Sequence, residues 1–593
     1  MGTISDKLMR IINTKEDIRQ ALISKGYDVP TSIPFKEYAK MILDLPCKVD
    51  SFPDIEGIVA RYSASGLTNE QMAANPVWVD KTGNGHDLQM KNFFWGGMSG
   101  VGGYVDNWNS SADWAVNSYW VNSHTDHKLQ FITASTVVQV KSKNVYNAEN
   151  VYKNILNVNG LTEAVNKGAV SSLEIFVTDS ITSKVIKIFS FETDGVIQIS
   201  FDDVLQDYYV NYFVTGNNTN DIDITIEQLP LYPGALVFDG VDDWAGCDNL
   251  PLLPKEKGYS IIALRNWITR YDATRYKRPL ILNLDTNDEG AFLIEYRKDE
   301  NVNDVTGSYN SFTDVYIDDN NPITWQTSSS YNGQIIKKGT SKSTNKLCIC
   351  KTYFGQLSNY ANAAIWEIVI LDHDATEEEL TKIKDYFVKT YPWLFPDQAW
   401  TVTGKTNEDE DRATIANITG NGNDLVLSNF GFAEGSGYNE EGEYAGYLVT
   451  DGVDDMITSS AFNIGKDFTI VGDWKFIDNK KSGTGLVKGS SFYIYNTMIG
   501  LDLYINSGSV KNSLDGIKSI NAACSDGRAY DRNWNEILAN TGNVVGSGGI
   551  LEVSSSGGRF DRIAFKNLAI YPRILSKDDC IKAYNYLQTL KSK

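Results

Sequence analysis

One short pattern is written twice, and it constrains the fold more than any other feature. Thr82-Gly83-Asn84-Gly85-His86-Asp87-Leu88 returns as Thr419-Gly420-Asn421-Gly422-Asn423-Asp424-Leu425. Downstream, Asp239-Gly240-Val241-Asp242-Asp243 returns as Asp451-Gly452-Val453-Asp454-Asp455. A third pair closes each stretch: Ile368-Val369-Ile370 before Thr376-Glu377-Glu378-Glu379-Leu380 answers to Leu568-Ala569-Ile570 before Ser576-Lys577-Asp578-Asp579-Cys580. Three matches in one order predict two copies of a single domain.

Spacing shows where extra chain sits. Gly422 precedes Asp451 by 29 positions, but Gly85 precedes Asp239 by 154. The first copy therefore carries a guest of about 125 residues, enough for a domain of its own. The expected organisation is a helical attachment module at 1–46, a discontinuous first sandwich at 53–104 and 233–397, an inserted β-sandwich at 105–232, and a second sandwich at 398–593. The expected fold class is mainly β: two copies of one domain, one carrying the insert, plus a small N-terminal helical anchor.

Composition agrees. At 593 residues the chain exceeds one core, and Gly 48, Tyr 32 and Trp 13 suit β domains with many tight turns. A formal charge of −21 argues against a nucleic-acid partner, which needs a basic face. No apolar run reaches the roughly 20 residues a membrane helix needs, so no membrane insertion is expected. Met1-Gly2-Thr3-Ile4-Ser5-Asp6-Lys7 lacks the apolar core of a secretory leader and misses the myristoylation pattern at Asp6. Six scattered cysteines form neither a disulfide framework nor a zinc set, which suits assembly in a reducing cytoplasm.

The first residues differ in kind from the rest. Ile4, Leu8, Ile11 and Ile12 fall on one helical face, Thr14 and Asp17 open a second helix that carries Ile18 and runs through about Lys25, and Phe35 and Tyr38 sit in a third. So small a core is expected to dock on a partner. Asn13-Thr14-Lys15-Glu16-Asp17-Ile18-Arg19-Gln20-Ala21-Leu22-Ile23, then Lys25-Gly26-Tyr27-Asp28-Val29-Pro30 and Pro34-Phe35-Lys36-Glu37-Tyr38-Ala39, resembles the N-terminal segment of many phage structural proteins. Fibre and appendage proteins of Bacteroidales phages, the crAss-like group among them, are included. The resemblance implies a virion component whose first residues plug into other virion proteins.

In each copy an Asn-Gly turn is followed by a strand, an Asp-Gly-Val-Asp-Asp turn, several alternating strands, a last strand and a capped helix. This order, with Phe238-Asp239-Gly240-Val241-Asp242-Asp243, is similar to the concanavalin A-like lectin/glucanase sandwich in its laminin-G-like version. The resemblance implies a jelly roll that often binds glycans, sometimes with calcium. The glucanases of that fold carry Glu, Asp and Glu close together on one strand. This sequence has no such strand, so no enzyme is expected and no catalytic residue is assigned.

Three constellations remain. Asp239, Asp243, Asp451 and Asp455 could offer oxygens to calcium, although Asp-Gly turns use such acids to bind their own backbone. His124 and His127 stand at a zinc-like spacing with no third ligand nearby. Trp95, Trp108, Trp114, Tyr119 and Trp120, interleaved with Asn and Asp, are the candidate glycan-stacking rings, against the plainer reading that a tryptophan packs a core. The expectation is a non-enzymatic virion appendage, a head or tail fibre or decoration protein. It is expected to assemble as a homodimer or homotrimer and to touch bacterial-surface glycans. A capsule depolymerase and a sugar-free structural spacer are the rivals.

Overall fold

The computed structural model describes residues 52–592, with breaks at 117–120, 132–137, 147–152, 201–205, 217–222, 254–257, 269–277, 285–289, 297–312, 317–321, 336–343, 352–359, 478–483, 506–512, 516–519 and 539–546 and some shorter ones. The chain divides into two compact units, Met1–Ile55 and Glu56–Lys593. The attachment candidates Ile4, Leu8, Ile11, Ile18, Phe35 and Tyr38 lie outside the described residues, as do Tyr119 and Trp120.

The described residues are mainly β, in several antiparallel sheets with few helices. In the first copy one sheet runs Gly100–Val101, Leu236–Asp239, Asn362–Leu371, Ser260–Trp267, Ile323–Thr327, with Ile58–Ser63 also pairing to Asn362–Leu371. The second copy repeats this order as Gly437–Asn439, Tyr447–Val449, Ile563–Tyr571, Thr469–Phe476, Ile520–Cys524, with Gln398–Thr401 in the place of Ile58–Ser63. Even the irregularity repeats. The pairing of the two central strands slips between Leu264 and Arg265 in one copy and between Asp473 and Trp474 in the other. A second sheet lies on the other side of each core, centred on Trp244–Cys247 and on Met456–Ile464.

Alternation explains which face meets the core. Along Asn362–Leu371, Ala363, Ile365, Ile368 and Ile370 enter one apolar cluster with Leu88, Ala245 and Leu347 of the facing sheet. Trp366 and Glu367 point the other way, yet both are fully buried. The outer face is covered by helices, so the strand reads as a nearly continuous apolar run. Four helices are labelled in chain order: α1 (Asn69–Ala74), α2 (Leu161–Asn166), α3 (Glu377–Thr390) and α4 (Lys577–Thr589). In α3 the Thr376 hydroxyl accepts from Glu379 N–H while the Glu379 carboxylate accepts from Thr376 N–H. In α4 Ser576 accepts from Asp579 N–H, but the Asp579 carboxylate returns a bond only to the Ser576 hydroxyl (2.7 Å), not to its backbone N–H, and its other oxygen pairs with Lys582 (3.5 Å). An Asp, one methylene shorter than Glu, completes only half of the capping box.

The repeated turn is built from the same bonds in both copies. Asp80 N–H donates to Asp87 Oδ1 and Asn417 N–H to Asp424 Oδ1, each at 2.8 Å. Asn84 Nδ2 donates to Val59 O (2.9 Å) and Asn421 Nδ2 to Asp397 O (2.7 Å). Tyr62 reaches His86 O through its hydroxyl, and Trp400 reaches Asn423 O through its indole N–H. One job is thus done by two aromatic side chains.

The guest is two five-stranded antiparallel sheets enclosing their own core, with Leu173, Ile175, Val210 and Ile226 at its centre. Its two connections to the host run side by side: Leu231 N–H donates to Gly103 O (2.9 Å) and Tyr232 N–H to Gly102 O (2.8 Å).

Candidate functional site

The aromatic cluster expected from the sequence is corrected by burial. Trp108 is 1% exposed and Trp114 3%. They meet edge to face at 6.4 Å, and both pack on Tyr212, inside the guest core. Burying an indole is worth about 4–6 kcal/mol at 25 cal/mol per Å². The Asn and Asp neighbours that suggested a sugar surface do not outweigh that. Trp95 is half-buried, stacks on Phe93 at 4.7 Å and packs against the core of the first copy, so it shares no surface with the other two. His127 stacks on Tyr104 at 4.5 Å, a packing role that needs no metal.

The Asp-Gly-Val-Asp-Asp turns bring Asp239, Asp242 and Asp243 together, and likewise Asp451, Asp454 and Asp455, with ligand-capable oxygens within 4.8 Å in each group. These carboxylates already organise the turn. Asp239 Oδ1 accepts from Val241 N–H (2.7 Å) while Asp243 Oδ2 accepts from Asp239 N–H (3.1 Å). Asp451 and Asp455 repeat both bonds, each at 2.7 Å. Gly240 takes a φ of +76°, and a Cβ there would sit 2.7 Å from the Asn362 Cβ, so the turn needs glycine. Burial, with Asp239 adding to it, pushes the Asp243 carboxyl up to about 7; burial raises Asp455 to about 6, opposed by the Ser436 hydroxyl at 3.0 Å. The carboxylates are thus spent on backbone N–H groups of their own turn, and burial disfavours the charge of Asp243 and Asp455.

A different site forms where the two copies meet. The Tyr586 ring of α4 meets Trp366 of the first copy edge to face at 6.4 Å. Tyr571 OH donates to Trp393 O (2.9 Å), Asn585 Nδ2 to Pro230 O (3.3 Å), and Lys582 lies over the Trp393 ring at 4.4 Å. Beside this contact lies a cleft of about 420 Å³. One wall is the outer sheet face and α3 of the first copy, with Trp325, Ile323, Leu380 and Lys384. The opposite wall is the second repeated turn, with Thr419 and Asn421, and the segment after Ile563–Tyr571, with Arg573. Asp397 lies on the connecting chain. Trp325 is half-buried, and it pairs across the sheet with Ile262. Aromatic side chains, Trp325 among them, thus share a space of small-ligand size with amide, carboxylate and cationic groups.

No second acid stands ready there for hydrolysis among the described residues. Glu367, a fully buried acid of the first copy, is enclosed by Arg61 (3.3 Å), Tyr391 (2.9 Å) and Tyr386 (3.3 Å) and does not line the cleft.

Sequence reasoning had Thr419 and Asn421 in hand, but only as turn formers. Trp325 and Arg573 carried no local signal, because the cleft exists only when two distant copies pack together. The repeat itself was the available clue: tandem sandwiches must meet somewhere.

No family model and no curated protein matches the chain. Among solved structures, Trypanosoma rangeli sialidase in complex with sialic acid aligns at 10% identity over 78% of this chain and 82% of that one, with a TM-score of 0.22. A mutant of the same sialidase displaying trans-sialidase activity aligns at 10% identity over 79% and 83%, TM-score 0.23. The botulinum neurotoxin serotype D binding domain aligns at 8% identity over 88% and 98%, TM-score 0.17. Likenesses this loose carry no argument about what the chain binds or does.

Proposed function

We propose that the chain is a non-enzymatic appendage of a bacteriophage particle that binds bacterial-surface glycans, with both copies of concanavalin A-like type. The observation that carries the glycan reading is the cleft between the copies. Sugars present flat C–H faces to an aromatic ring and hydroxyls to amides and carboxylates. Trp325 from the first copy, with Asn421 and Thr419 from the second and Asp397 on the connecting chain, offers both kinds of contact within about 420 Å³. The resemblance of Asn13–Ile23, Lys25–Pro30 and Pro34–Ala39 to phage structural proteins supports the virion role, with residues 1–46 as the tether. Assembly takes place in the host cytoplasm. A dimer or trimer would multiply weak contacts through effective concentration.

Trp325→Ala tests the cleft. Adsorption of fluorescent full-length protein to host cells should fall about ten-fold or more, with the melting temperature of the first copy, which carries Trp325, unchanged. Equal adsorption by both proteins rejects the cleft as the binding site. Following polymer length during incubation with purified capsule separates binding from cleavage: a lectin retains the polymer at constant length.

A further inference from the structure

We infer that the cleft selects acidic glycans, with Arg573 receiving a sugar carboxylate. This deepens the glycan reading above and rests on it.

The charges come first. Three charged side chains line the cleft, Lys384, Asp397 and Arg573, so its wall is net positive by one on a chain whose formal charge is −21. A cationic recess on so acidic a molecule is a local exception, and it attracts anions where the surrounding surface repels them.

Arg573 is built to receive one. It is half-buried, and its Nη1 donates to Val388 O at 3.3 Å. A guanidinium carries five N–H donors in a planar fork. Among the described residues Arg573 has no ion pair. Asp397, the acid of the same cleft, is engaged with neighbours: its Oδ2 accepts from Gln398 Nε2 at 3.1 Å, and its Oδ1 lies 3.5 Å from Asn421 Nδ2. Burial pushes the Arg573 guanidinium below its ordinary value, against the opposing pull of Tyr571 and Asp397. It stays charged and incompletely compensated. A carboxylate matches the fork with two parallel bonds, which a neutral hydroxyl cannot do.

Trp325 fixes the rest of the ligand. It lines the cleft from the first copy while Arg573 lines it from the second. A pyranose bearing a carboxylate on its edge can lay a C–H face on the indole and turn the acid toward the guanidinium. Lys384, exposed on α3, adds a second positive charge at the mouth.

The test uses the full-length protein and three uronate polysaccharides, alginate, pectate and hyaluronan, each beside its carboxyl-reduced neutral form. A charge-assisted pair of this kind is worth about 1.5–3 kcal/mol, or about ten- to a hundred-fold in affinity. Wild-type protein should therefore retain at least one native polymer and lose about ten-fold or more on carboxyl reduction. Arg573→Gln should bind native and reduced forms alike. Arg573→Lys, which can keep the bond to Val388 O, should show an intermediate preference, and melting curves of both variants report whether the copies stay packed. If Trp325→Ala abolishes binding while carboxyl reduction changes nothing, the glycan cleft stands and the acidic preference is overturned. If neither change matters, or none of the polymers is retained, the inference fails; unchanged binding by Trp325→Ala removes the cleft reading as well.

Discussion

The Arg61 guanidinium lies 3.3 Å from the Glu367 carboxylate, and both side chains are buried under α3. Tyr386 joins them, taking a 2.8 Å bond from Arg61 and lying under its cation at 5.1 Å from the ring centre. The second copy has Ala399 and Asn567 at these places, as the strand registers show. A buried pair is a weak source of net stability, but breaking one side of it strands a charge.

Arg61→Ala is therefore expected to destabilise the first copy by about 3–5 kcal/mol. The double variant Arg61→Ala with Glu367→Asn, which copies the second sandwich, should recover much of that loss. Denaturant unfolding followed by the fluorescence of the full chain, with a resolved transition for each copy, measures both.

Acid should stabilise the paired Asp-Gly turns. Asp243 titrates near about 7 in the folded chain against about 3.9 when unfolded. The folded state thus holds a proton that the unfolded state releases. The stabilisation is complete below about pH 4 and lost as pH rises through about 7, on the order of 2–4 kcal/mol for Asp243. Asp455, raised only to about 6, contributes less over a lower window. Asp243→Asn should flatten the fall of melting temperature between about pH 4 and pH 7; an unchanged slope would show that the carboxyl is ionised in the folded protein.

Trp114→Ala is expected to cost about 3–5 kcal/mol, confined to the guest, because the ring fills its core against Trp108 and Tyr212. Glycan retention should be unaffected wherever the guest remains folded. Hydrogen exchange, read separately over residues 105–232 and over the two host copies, distinguishes local from global loss.

The copies differ in how well their last helices are capped, and the difference can be exchanged. Thr376→Ala should cost about 1 kcal/mol, since it removes the acceptor for Glu379 N–H. Asp579→Glu should complete the box at Ser576 and gain a few tenths of a kcal/mol. Melting temperatures of the two variants, moving in opposite directions, check both.

Local chemistry made the frame legible from sequence. The Thr82 and Thr419 turns, the Asp239 and Asp451 turns and the caps at Thr376 and Ser576 each specify their own geometry within a few residues. The strands between them show as alternation. Trp108 and Trp114 misled because polar neighbours in sequence do not keep a ring at the surface: both rings turn into the guest core. Trp325 and Arg573 were silent for a related reason. They lie 248 positions apart in the chain, and only the packing of α4 against Trp366 brings their walls together. Contact between domains has no period to read.

The guest leaves and rejoins its host through two adjacent strands of chain already bonded to each other at Gly102–Tyr232 and Gly103–Leu231. The host thus sees only a closed doorway, whatever stands behind it. A cassette held this way can be traded for another, or cut to a short turn, without rewriting a single residue of the host interior, so new surfaces can be tried on an old frame.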